Sequence, residues 1–132
     1  MGHELTLALS PDAPRQIRRS LDRYIGLLQQ SLLDDLVLVS SELVSNAVQH
    51  SGRPKGDPIE YRLTILSKAI LVEVADRGVG TDQLRPTTGT PPSGLGLVQL
   101  LSDRWAGSVQ TDTFNVWFEI DIETRLIRRK QR

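Results

Sequence analysis

Apolar residues recur at three- and four-residue spacing through Leu36, Leu43, Val44, Ala47 and Val48. At ~100° per residue they fall in one broad sector, so the spacing predicts a helix over 35–51. A second stripe, Ile17, Leu21, Ile25 and Leu28, predicts a helix over 13–28 whose outer side carries Arg15, Arg18, Arg19 and Arg23. Elsewhere the period drops to two. Leu5, Leu7 and Leu9 alternate with small or polar residues, as do Ile59, Tyr61, Leu63 and Ile65, and both runs predict strands with one apolar face. A third strand is predicted over 69–76, where Ile70, Val72, Val74 and Asp76 share a face. A short helix follows over 97–103, then strands over 107–111 and 116–122, the last turning Val116, Phe118, Ile120 and Ile122 inward.

Glycine and proline punctuate these elements. Ser10-Pro11-Asp12 opens the first helix, Gly52 stops the second, and residues 53–58 form a loop with two prolines and a glycine. Between 77 and 93, Gly78, Gly80, Gly89, Pro86, Pro91 and Pro92 exclude regular structure. A loop of that length in a small domain is characteristically functional or disordered. The order is strand, helix, helix, two strands, loop, helix, two strands. It predicts an α/β (α+β) two-layer sandwich with a mixed, mostly antiparallel sheet and the helices on one face. One domain is expected over 1–124, with residues 125–132 as a basic tail.

The chain has 132 residues, with 16 Lys+Arg against 16 Asp+Glu, enough for one real core and no net charge to draw it to nucleic acid or a membrane. Five of the basic residues lie in the last eight positions (Arg125, Arg128, Arg129, Lys130 and Arg132), so residues 1–124 carry a charge of about −5. The absence of cysteine excludes disulfides and thiolate metal sites. No apolar run approaches a membrane span and the first residues do not form a signal peptide, so a cytoplasmic location is expected.

Against that background, a few polar residues stand where apolar ones would be cheaper. Glu42, Asn46 and His50 follow one another at four-residue spacing along the margin of the central helix's apolar sector. Asp76 shares the inward face of its strand. Desolvating such groups is unfavourable unless something binds them. A carboxamide oxygen on a helix can hold a magnesium ion that keeps most of its waters and takes phosphate oxygens. A carboxylate one turn earlier can deprotonate an attacking hydroxyl. A buried carboxylate such as Asp76 can accept the amino hydrogen of adenine, with Gly78 and Gly80 letting the base approach the backbone. Gly94-Leu95-Gly96 opens a helix, whose free amides attract anions. Each fragment alone is common; their joint occurrence in this order is not.

The segments SELVSNAVQH, ADRGVG and SGLGLVQLLSDRW together resemble the asparagine box and the two glycine boxes of the GHKL (Bergerat) ATP-binding fold, which histidine kinases, gyrase and MutL share. The size is most similar to the anti-sigma-factor serine/threonine kinases of the RsbW and SpoIIAB type, and the resemblance runs from about Leu5 to Ile122. It implies ATP and Mg²⁺ as cofactors, Glu42 as general base, Asn46 as Mg²⁺ ligand and Asp76 as adenine contact. Gly78, Gly80, Gly94, Leu95 and Gly96 would form the nucleotide pocket and the hinges of a lid. Arg15 or Arg18 would meet the partners, a sigma factor and its antagonist protein. A homodimer through the open edge of the first strand is compatible with the same resemblance.

Two functions follow from different classes. A kinase would phosphorylate a serine or threonine of the antagonist, as the retained Glu42 favours. A nucleotide-responsive binding module would switch partners without turnover. Arg85, the single basic residue between Gly78 and Gly94, offers little cationic help to a transferring phosphoryl group and so favours the second. The catalytic half of a histidine kinase is a third reading. It expects a dimerisation helix pair with a phospho-acceptor histidine, whereas His3 and His50 are the only histidines.

Overall fold

A computed structural model describes residues 2–50, 54–75, 96–110 and 113–122; at 50, 108–110 and 113–114 only the course of the backbone is described. The described strands are β1 (Gly2–Ala8), β2 (Pro58–Ile65), β3 (Ala69–Ala75), β4 (Arg104–Gln110) and β5 (Thr113–Asp121), and the α-helices are α1 (Ala13–Ser20), α2 (Gln30–His50) and α3 (Gly96–Leu101). The strands form one sheet in the order β1-β2-β3-β5-β4, with every neighbouring pair antiparallel. The expected α+β layering is therefore present, with a sheet more uniformly antiparallel than foreseen.

Period-two alternation accounts for the core. Ile59, Tyr61 and Leu63 of β2, Ile70, Val72 and Val74 of β3, and Val116, Phe118 and Ile120 of β5 are all buried on one face. That face meets Leu32, Leu36, Val39, Leu43, Val44 and Ala47 of α2 and Ala13 and Ile17 of α1. The opposite face is stitched by side chains from neighbouring strands. Arg62 donates two hydrogen bonds to the Glu73 carboxylate, each at 3.1 Å, and Arg104 pairs with Glu119 and Asp121. This explains how Glu73 is buried although it points away from the apolar core: its charge is held by a forked guanidinium. Gly107 sits where β4 crowds β5, since a Cβ there would come within 2.8 Å of the Asn115 carbonyl oxygen.

Several boundaries depart from expectation. The first helix does not run unbroken over 13–28. It ends at Ser20, tightens into a 3₁₀ turn over Leu21–Tyr24, and then breaks at Ile25, whose backbone is extended, and Gly26, at φ +81°. Leu21 and Tyr24 keep the stripe buried through the turn, so the apolar period outlived the α-helix that it implied. The chain released by that break enters α2 at Gln30, five residues earlier than the spacing indicated, because Leu32 and Leu33 extend the same buried stripe. β4 likewise begins at Arg104 rather than 107, paired with Glu119. The strand expected over 69–76 is described to Ala75, and Asp76 lies outside the described residues. Among the described residues, no helix is long and apolar enough to cross a membrane.

Candidate functional site

α2 is fixed over the sheet by a polar pair as well as by its apolar face. Ser40 Oγ and Tyr61 Oη lie 2.9 Å apart, both residues at 0% exposure. Burial pushes the Tyr61 phenol well above its ordinary range, while the Ser40 bond pulls the other way. From this point above the middle of β2, α2 runs toward a definite end of the sheet. Val48 lines a cleft with Leu9, Ser10 and Pro11, which follow β1. Ala8 pairs with Pro58, and Glu60, two residues on, pairs with Ala75. The last turns of α2 therefore lie toward the sheet end where the described parts of β1 and β3 also end.

The two α2 side chains are themselves joined. Asn46 is 5% exposed, and its Nδ2 donates to the main-chain oxygen of Glu42 at 2.9 Å and to Glu42 Oε1 at 3.3 Å. Glu42 is half-buried. With the nitrogen turned toward Glu42, the other end of the Asn46 carboxamide is its oxygen, the atom type that Mg²⁺ takes. Among the described residues, no group of three or more His, Asp or Glu stands together as a metal cage. The donor set fits an ion that needs only one or two protein ligands and completes its shell with water and phosphate.

The remaining expected site residues divide. Gly96 is the first residue of α3, the helix that packs against α2 through its own buried Val98. A Cβ at Gly96 would meet nothing within 4 Å, so packing within the described protein does not account for a glycine there. Asp76, Gly78, Gly80, Arg85, Gly94 and Leu95, and the side chain of His50, lie outside the described residues. Arg15 and Arg18 are exposed on α1, far along the chain from the other site residues. Arg15 sits 3.8 Å from Asp12, and Arg18 stands at the rim of a groove of about 460 Å³ between α1 and α2, lined also by Leu21, Ile25, Leu33 and Val37. Sequence reasoning missed both the Ser40–Tyr61 tie and this groove. No local signal marks the first, because its partners lie 21 positions apart; the arginine stripe on a short helix was the trace of the second.

The chain matches the family described as histidine kinase-like ATPase domain over residues 7–113. That span includes Glu42, Asn46 and Asp76. The chain belongs to this family. ATP is therefore the nucleotide expected of the domain. Among solved structures, this ATPase-family domain is similar to the RsbU and RsbW domains of Rv1364c from Mycobacterium tuberculosis, with a TM-score of 0.70 at 19% identity, covering 91% of this chain and 31% of that one. This chain thus spans about a third of the length of that relative. No curated protein matched the sequence.

Proposed function

We propose that this domain is an ATP-dependent protein serine/threonine kinase of the anti-sigma-factor type, which phosphorylates an antagonist protein and sequesters a sigma factor when the antagonist is not bound. The observation that carries this reading is the paired Glu42 carboxylate and Asn46 carboxamide on α2, in a chain of the histidine kinase-like ATPase family.

In this mechanism Glu42 accepts the proton of the substrate hydroxyl as its oxygen bonds to the terminal phosphorus of ATP, and the bond from that phosphorus to the β–γ bridging oxygen breaks to release ADP. Asn46 offers its oxygen to Mg²⁺, which when bound neutralises phosphate charge. Asp76 receives the adenine amino group. The backbone of Gly78, Gly80, Gly94, Leu95 and Gly96 lines the pocket and its lid. Arg15 and Arg18, exposed and on a separate helix, meet the protein partners. Similarity to a structure that contains an RsbW domain supports this partner class. Such a protein acts in transcription regulation in the cytoplasm.

The decisive experiment incubates the protein with Mg²⁺, labelled ATP and candidate antagonist proteins. Label on a serine or threonine of one antagonist is the expected result, and its loss in Glu42→Ala, with ATP binding retained, ties the transfer to that carboxylate. The second reading, a switch that binds nucleotide without turnover, draws on the scarcity of cations between Gly78 and Gly94. It predicts MgATP-dependent partner exchange with no labelled product in either protein.

A further inference from the structure

We propose that Asn46 is also a positioning residue for Glu42, so that one side chain serves the metal through its oxygen and the base through its nitrogen. This inference rests on the kinase reading above and concerns how the same site keeps its base aimed.

The geometry is specific. A carboxamide NH₂ has two hydrogens about 120° apart. In Asn46 the Nδ2 lies 2.9 Å from the Glu42 main-chain oxygen and 3.3 Å from Glu42 Oε1. The first contact locks the amide against the helix backbone. The second turns the other hydrogen toward the carboxylate. Because Asn46 is almost wholly buried, its amide has no room to rotate away. Glu42, half-buried with three side-chain torsions, is the flexible member, and a charge-assisted bond from a fixed donor narrows its choice of rotamer. The residue one turn before it, Leu38, is apolar and exposed and donates nothing to it. Four-residue spacing puts donor and acceptor on the same side of the helix, so α2 itself supplies the alignment. Were a cation held on the Asn46 oxygen, it would polarise the amide, and Nδ2 would hold the Glu42 carboxylate more firmly.

Asn46→Asp separates the two roles. It keeps an oxygen for Mg²⁺ but replaces the donor with a second carboxylate beside Glu42. The MgATP-induced rise in melting temperature is expected to persist, while transfer falls by about 100-fold because the base is turned away. An Asn46→Asp protein that transfers phosphate at the parent rate overturns the proposal and leaves the kinase reading standing. A second measurement needs neither turnover nor a variant at position 46. In ¹⁵N spectra of the nucleotide-free protein at one fixed pH, one Asn46 side-chain amide proton should be displaced by its bond to the Glu42 side chain, and in Glu42→Ala that displacement should vanish. Asn46 amide resonances identical in the parent and Glu42→Ala overturn the proposal whether or not any phosphate is transferred. If the parent transfers none, or Asn46→Asp binds no nucleotide, these spectra alone decide it.

Discussion

Two polar pairs occupy one helix, barely a turn apart, and their surroundings give them opposite uses. Ser40 and Tyr61 tie α2 to β2 across the apolar layer, both fully enclosed, each satisfying the other. Glu42 and Asn46 are joined along the helix rather than across the layer, and Glu42 keeps partial contact with solvent. A neutral pair sealed in the core adds rigidity and fixes the rotation of the helix. A carboxylate–carboxamide pair at the margin of the core leaves the carboxylate in partial contact with solvent, as the proposed role of Glu42 requires.

The sharpest way to break this contrast is Glu42→Gln. On the proposed kinase function, phosphate transfer to a protein substrate should fall by ~100-fold or more, while the melting temperature stays near that of the parent, as labelled transfer and thermal unfolding would show together. A large loss of stability would mean that the marginal pair is structural after all. Tyr61→Phe should give the converse. It strands the Ser40 hydroxyl in the core and lowers stability by about 1–3 kcal/mol, measurable by denaturant unfolding, with MgATP affinity unchanged. Asn46→Ala should remove the stabilisation that MgATP gives, which for the parent is about 2.7 kcal/mol at a hundredfold excess over Kd, so its melting temperature should not respond to nucleotide.

The smallest effect concerns an extension of the sealed pair. The His3 ring lies 6.0 Å from that of Tyr61 and 5.5 Å from that of Tyr24, and its Nδ1 is 2.7 Å from the Tyr24 hydroxyl. Burial first, and the Arg23 charge second, lower its pKa from 6.5 to about 4. Between those values the unfolded chain takes up a proton that the folded protein refuses, so stability should fall as pH drops from 6.5 toward 4. For a partly exposed ring the effect is about 1 kcal/mol once solvent screening is allowed for. In His3→Gln, unfolding followed across that range should show a flatter slope; an unchanged slope would assign the pH dependence to other groups.

Most of this architecture was legible in the residue pattern, for reasons that differ by element. Strand β2 declared itself because one face is buried more deeply than the other, which forces period two, whereas β3, central in the sheet, is buried on both faces and showed the period only weakly, through Glu73 among apolar residues. α2 declared itself through its apolar sector, although its start was misjudged: Leu32 and Leu33 belong to the stripe, but the break that frees them depends on the left-handed Gly26 and the extended Ile25, a local conformation with no periodic trace. The candidate site, which remains a proposal, was read from chemistry, since a carboxylate and a carboxamide at four-residue spacing beside an apolar sector are costly without a task. Their mutual bond was implicit in that spacing.

By itself the sequence determined the layers, the inward faces and the family to which the chain belongs, because those depend on patterns that repeat along the backbone or on short runs of residues. The tertiary structure alone decided that Ser40 faces Tyr61, that α2 ends at the same end of the sheet as β3, and that Arg18 overlooks a groove between two helices. Each of these joins residues distant in sequence, and such contacts are set by how helix and sheet pack as solid bodies, a quantity that no local periodicity encodes.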